Sequence, residues 1–307
     1  IWILGKKWGF ITPSDFFADR YTSNVFRVIV ALMILVFVIP YIGVQLMGTG
    51  YMLEGITGIP YWQGALIAVL VTVIYVVMGG MRAVAWTDTI QGLVMIVVIF
   101  AAALYISFTG FGGPVEQMAA VAAKSPRTLQ IPGPIGLWTY QYTISFAMLI
   151  WFCGPLMPHL WVRYYSPNSE KTVKYMAMLI PIYATIIYVP AVLLGTAGTV
   201  LAPGLARADT VVPVVLSKFA PPALSVLVVV GIFAAAMSTA DGMLLLVSSV
   251  ITRDIYQKLI RPQVSQRALT WIGRIMILIV MPIAFIMAIN PPGLIFLIVG
   301  LLSAVSI

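Results

Sequence analysis

Residues 222–256 read PALSVLVVVGIFAAAMSTADGMLLLVSSVITRDIY, and Asp241 is the only charged residue before Arg253 and Asp254 near the end of the stretch. A bilayer core of about 30 Å is crossed by about 20 apolar residues in helix. This stretch is long enough to cross, and its continuous apolar run, without a two-residue alternation, reads as helix rather than as barrel strand. Near its middle Ala235, Ser238 and Thr239 stand at i, i+3 and i+4 and so share one face. Two hydroxyls and a carbonyl from one turn, completed by carbonyls of a neighbouring unwound helix, make the hard oxygen shell that a small alkali cation prefers. The competing reading is that both hydroxyls bond back to their own helix and that the small residues serve close packing. Asp241 is the only acid well inside a predicted span. A carboxylate at a helix centre costs about 2.5–3.5 kcal/mol on the insertion scale, so it faces the bundle interior, a partner or water. It either tunes the cation site or caps a polar inner cavity near Arg253.

The rest of the 307-residue chain repeats the pattern. It is 62% hydrophobic and 8% charged, where a soluble domain carries about a quarter charged residues, and that much apolar surface requires lipid as solvent. Residues free of Asp, Glu, Lys and Arg run from Val28 to Leu53, Gly55 to Met81, Thr89 to Val115, Thr128 to Val162, Tyr175 to Ala206 and Ile275 to the end. Together with Pro and Gly punctuation these place helices at about 26–52, 61–81, 86–109, 138–162, 174–201, 222–256 and 268–289, with an incomplete one from 293.

Alternating those spans across the membrane puts Lys6, Lys7, Arg20, Arg27, Arg82, Arg163 and six of the later basic residues on one side, with Arg274. The other side holds only Lys124, Arg127, Arg207 and Lys218. Thirteen of the 17 Lys and Arg therefore share a side, which the positive-inside rule assigns to the cytoplasm. The net charge of +8 is thereby explained by topology beside anionic lipid, without nucleic acid. The expected location is the cell (inner) membrane, as a multi-pass protein. The Gly-, Pro- and Ala-rich segment 111–137 falls outside as an extracytoplasmic loop, read as an ordinary connection in preference to a cap over the entrance.

One cysteine, Cys153, excludes an internal disulfide and a thiolate cluster, and the lone His159 offers no metal cage. No paired acids, nucleophile with base, or cofactor motif is visible, so an enzyme is not expected. No signal peptide is visible and both ends are abrupt, so the chain reads as a single transmembrane domain truncated at both ends.

Segment 138–162 contains WFCGPLMPH at 151–159, two prolines and a glycine at the middle to inner part of a span. Each proline inside a helix costs about 3 kcal/mol. Such a break persists where protein or water satisfies the freed carbonyls, and discontinuous spans mark transporter binding sites; a simple proline kink is the alternative. Asp88, at the cytoplasmic start of the third span, has an N-cap role as its plainer explanation.

At these residues the chain resembles the sodium:solute symporter family. Gly79-Gly80-Met81-Arg82-Ala83-Val84-Ala85-Trp86-Thr87-Asp88-Thr89-Ile90-Gln91 resembles the family's signature around core helix 5. Ala235-Ala236-Met237-Ser238-Thr239-Ala240-Asp241, with Ser248-Ser249 and Arg253-Asp254-Ile255-Tyr256, resembles core helix 8. Ile11 to Tyr21 resembles the loop after core helix 2, and Met157-Pro158-His159 with Arg163 the end of core helix 6. The resemblance implies an all-α LeuT-type inverted-repeat (5+5) fold, of which the chain covers about core helices 3 to 10. It implies Ala235, Ser238 and Thr239 as sodium ligands and Asp88, with Asp241, on the sodium path. Trp151, Gly154, Pro155 and Pro158 are the implied substrate-pocket candidates, with Gln45 facing them. Gly242 replaces a serine frequent in the family, which puts a hydroxyl role there in doubt.

The implied function is sodium-coupled symport of a small solute by alternating access, with Na⁺ as coupling ion and no cofactor. The Ile59-Pro60-Tyr61-Trp62 turn, Pro158-His159 and Asn290-Pro291-Pro292-Gly293 look most similar to members carrying pantothenate or short monocarboxylates. The partners expected are the solute, Na⁺ and the bilayer. The alternative function is a solute-sensing membrane input domain of a signalling protein.

Overall fold

Capping residues and glycines divide an otherwise continuous apolar chain into helices. In this computed structural model residues 1–153 and 156–290 are described, with residues 295, 298 and 299; the side chains at 81–83 and 153 are outside the description. Helix α1 (Trp2–Trp8) ends on Gly9 in the left-handed region. Helix α2 (Pro13–Arg20) starts with proline in its first turn and with Thr12 accepting the Asp15 amide, both favourable at a helix N-terminus. Helix α3 (Asn24–Thr57) is capped by Ser23, runs through Pro40 and stops at Gly58, φ 74°. Helix α4 (Tyr61–Phe111) has one non-helical residue, Gly80, at φ 63° and ψ −174°. That bend separates two spans, Tyr61–Gly80 and Val84–Phe111.

Beyond it come α5 (Pro114–Lys124), α6 (Tyr140–Met148), a π turn at Leu149–Cys153, α7 (Pro158–Tyr165), α8 (Glu170–Leu201) and α9 (Val211–Phe219). Helix α10 (Pro222–Ser249) continues as π-helix through Val250–Ile260, and α11 (Gln266–Ile289) follows. Six helices, Asn24–Thr57, Tyr61–Gly80, Val84–Phe111, Glu170–Leu201, Pro222–Ile260 and Gln266–Ile289, are long and apolar enough to cross a membrane. They match six of the spans expected from sequence. The seventh, 138–162, is interrupted between α6 and α7. The incomplete helix expected from 293 lies almost entirely outside the described residues.

Helix α10 is the hub, packed on α3, α4 and α11. Ile42, Leu46, Met243, Leu244, Leu246 and Met281 are fully buried in that core. A second core joins Met52, Ile106, Leu194, Val215 and Leu216. Val36, Ile74, Val97, Val192 and Ile286 lie exposed on the outer faces of the spans, the surface that lipid would cover.

Contacts between helix ends agree with the two charge sets. Near α2, the start of α3 and the end of α10 meet through Arg27 and Asp15 at 2.6 Å and through Thr12, whose hydroxyl donates to Asp254 at 2.8 Å. At the opposite ends Arg207 donates to the Tyr51 hydroxyl at 2.9 Å. The 111–137 segment is more ordered than a plain connection: α5 docks on α4 and α8 through the buried Gln117.

Candidate functional site

The central turn of α10 places three oxygens together. Ser238 Oγ donates to the Ala235 carbonyl at 3.0 Å and Thr239 Oγ1 to the same carbonyl at 3.3 Å. These back-bonds are the ones expected of hydroxyls in a membrane helix, yet each hydroxyl oxygen keeps lone pairs. All three residues border a cavity of about 740 Å³, within the range of small-molecule sites. Gln45 of α3, Asp88 of α4 and Tyr183 and Tyr188 of α8 line the same cavity.

One turn further along α10 the fully buried Asp241 meets a partner that sequence reasoning did not single out. Arg163 Nη2 donates to the Ser238 carbonyl at 2.8 Å and lies 3.3 Å from Asp241 Oδ1 and 2.9 Å from Asp88 Oδ2. Tyr75 donates from its hydroxyl to Asp241 Oδ2 at 2.8 Å and to the Met237 carbonyl at 3.0 Å. Thus two acids share one guanidinium beside the hydroxyl turn. The other oxygen of Asp88, Oδ1, is buried and has no hydrogen-bond partner among the described residues.

Two expectations change here. The cation facing Asp241 is Arg163; Arg253 lines two other cavities, one with Ser248, Thr270 and Arg274 and one with Asp15, Asp19 and Arg27. Asp88 is not an N-cap, because the second span of α4 is already helical at Val84 and the Asp88 carboxylate pairs with Arg163.

The other candidates are dispersed. Trp151 is 81% exposed and is not among the cavity's walls. Pro158 begins α7 and lines a different cavity of about 340 Å³ with Phe17, Leu156 and Trp161. Gly154 and Pro155 lie outside the described residues. The interruption itself is built from a π turn, a non-helical Met157 and a new helix starting at proline. Trp161 Nε1 donates to the Leu156 carbonyl at 2.9 Å, which satisfies one group that the break releases. His159 stacks on Tyr41 with ring centroids 6.2 Å apart.

A cavity bordered by hydroxyls, acids and apolar side chains among membrane-spanning helices, reached by Arg163 from the helix that follows an interruption, is the architecture of a secondary transporter. The model of the sodium:solute symporter family matches residues 1–306, and the chain belongs to that family, one of transporters rather than enzymes. The Sodium/pantothenate symporter of Haemophilus influenzae is 30% identical over 303 residues, covering 95% of this chain and 60% of that protein. The Sodium/proline symporter of Salmonella typhimurium is 29% identical over 296 residues, covering 92% of this chain and 57% of that protein. The chain thus spans about three-fifths of the length of these relatives. The solved structure of a Na⁺-coupled sialic acid symporter in a substrate-bound outward-open state superposes with a TM-score of 0.78 at 22% identity. It covers 98% of this chain, which covers 66% of it. That likeness carries the LeuT-type fold.

Proposed function

We propose that this chain is the core of a sodium-coupled symporter that moves a small carboxylate-bearing solute, such as a monocarboxylate or pantothenate, inward across the cell membrane. The observation that carries the reading is the convergence of the Ala235 carbonyl and the Ser238 and Thr239 hydroxyls on the cavity wall. A cation arriving there needs each hydroxyl proton to rotate away, and the lone pairs then face the ion. Two acids against one guanidinium, with Asp88 Oδ1 unpartnered among the described residues, leave the neighbourhood acceptor-rich, so it favours a cation and gives it a next station at Asp88. Gln45, Tyr183 and Tyr188 supply donors and rings for the solute on the same cavity. Relatives named for pantothenate and proline, both carboxylates, support the solute class.

In this reading Na⁺ and solute bind from outside and stabilise closure of the outer path. They then leave inward as one part of the bundle rocks against the other. The membrane potential contributes about 2.3 kcal/mol per charge per 100 mV to inward movement. The test is uptake into sodium-energised vesicles by the intact protein, with a competition panel of carboxylates. Replacing Ser238 and Thr239 together by Ala should raise the half-saturating Na⁺ concentration at least tenfold at equal protein abundance. Unchanged sodium activation in the double variant would reject the site.

A further inference from the structure

At the inner ends of α10 and α11 a second polar cavity, about 390 Å³, lies beside the Gly80 bend. Arg253, Ser248 and Ser249 reach it from α10 and its π-helical continuation, and Arg274, Thr270 and Gln266 from α11. No acid is among its described lining residues. Neither arginine makes an ion pair among the described residues, and the Ser248 and Ser249 hydroxyls have no acceptor among them. Gly273 keeps the space open, since a Cβ there would lie 2.5 Å from Ser248 Oγ.

Depth and surroundings narrow the ligand. Arg274 lies over the ring of Trp271 at 5.0 Å, and Trp271 is exposed; a tryptophan paired with a basic residue near a span end marks the headgroup level. Arg253 and Arg274 each stand about two turns from the inner end of their helical stretch. One flank of the cavity is apolar, made by Val76, Val77 and Met78, and Met78 is exposed. Guanidiniums without an ion pair among the described residues, beside hydroxyl donors, match a phosphate, and the apolar flank at the same depth matches the chains attached to it.

We propose that this cavity binds the phosphate of an anionic lipid headgroup from the inner leaflet, held by Arg253 and Arg274 with hydroxyl donation from Ser248 and Ser249. The lipid bridges α4, α10 and α11 and holds their inner ends together. This site is separate from the transport cavity and stands or falls independently of it.

The test uses the intact protein purified and delipidated in detergent, titrated with phosphatidylglycerol, phosphatidylcholine or inorganic phosphate. Bound lipid is read by native mass spectrometry and stability by thermal melting. Phosphatidylglycerol should be retained and raise Tm, with phosphatidylcholine at least tenfold weaker. Arg253→Gln with Arg274→Gln should weaken phosphatidylglycerol binding at least tenfold. Should the double variant not purify, Arg274→Gln alone is read against Arg274→Lys, the first losing binding and the second retaining it. Equal retention of phosphatidylglycerol by wild type and the Gln variants overturns the site. An equal Tm rise with inorganic phosphate overturns the lipid and assigns a soluble anion.

Discussion

Gly242 and Arg163 occupy one space: a Cβ built on Gly242 would lie 2.8 Å from Arg163 Nη2. The residue that sequence comparison marked for a missing hydroxyl is therefore better explained by what its small size admits. With glycine there, the guanidinium reaches past the α10 backbone to the Ser238 carbonyl and to Asp241. The same residue, Ser238, offers its hydroxyl to the proposed ion and its carbonyl to the arginine, so the two cations are coupled through one residue.

Gly242→Ala should push the guanidinium away without unfolding the protein, because the group met is the far end of a flexible side chain. Asp241 is then left with Tyr75 alone. Solute uptake should fall at least tenfold while protein abundance in the membrane stays within twofold. Uptake at the wild-type rate would show that the arginine finds an equivalent seat and that the glycine is not required.

Removing Arg163 strands two acids, and their burial decides the order of rescue. Asp241 is 0% exposed in its side chain and Asp88 is 20% exposed, with Arg163 at 32%. Breaking a buried pair costs about 3–5 kcal/mol, here nearer about 3 kcal/mol because the guanidinium is partly solvated. Arg163→Ala should therefore lower Tm strongly. Adding Asp241→Asn should recover more of the loss than adding Asp88→Asn, in melts of the detergent-purified proteins. The reverse order would place the stranded charge on Asp88.

Most of the fold was readable because lipid removes alternatives: a long apolar run between charges has to be helix, and six such runs became spans. The boundary between the second and third spans, expected between 81 and 86, falls slightly earlier, at the Gly80 bend, while the break before Pro158 was readable because lost donors are a property of single residues. The oxygens of Ala235, Ser238 and Thr239 share a face by helical spacing alone. Arg163 escaped notice because an arginine at a span's inner end is already explained by topology, and only tertiary packing tells a charge that faces water from one that turns inward. The signal present was Asp241 inside one span together with Asp88 at the start of another, two acids that need a cation, with Arg163 in the first two turns after a helix break. Trp151 illustrates the opposite error. Its place in the broken segment made it a candidate, but a few residues do not determine which way a π turn directs its side chains.

The bend in α4 gives a test of backbone strain free of packing. Gly80 sits at φ 63° and ψ −174°, and a Cβ there would meet nothing within 4 Å. That region is essentially restricted to glycine, at a cost of about 1–3 kcal/mol for other residues. Gly48 in α3 also has nothing within 4 Å of its Cβ position but is helical, where Ala is favoured by roughly 0.5–1 kcal/mol. Gly80→Ala should lower Tm and Gly48→Ala should leave it level or raise it. Equal effects of the two would mean that the bend is not held in that conformation.

Gln117 decides whether the 111–137 segment is a fixed cover or a loose connection. Its side chain is fully buried. Its Oε1 accepts from Ser107 at 2.6 Å, and its Nε2 donates to the Leu193 carbonyl at 2.7 Å and to Thr196 Oγ1 at 3.1 Å. One side chain thus pins α5 to both α4 and α8. Gln117→Leu keeps the volume but leaves the buried Ser107 hydroxyl without its acceptor, a cost of about 1–3 kcal/mol. Because the loss is confined to α5, it should appear as local opening before global unfolding. Proteolytic nicking within 111–137 should accelerate about tenfold, the population change that about 1.4 kcal/mol produces when opening is fast relative to cleavage. Tm should shift less than for the Arg163 variants. If nicking is unchanged, α5 is held by its apolar face against α4 and α8 rather than by the glutamine.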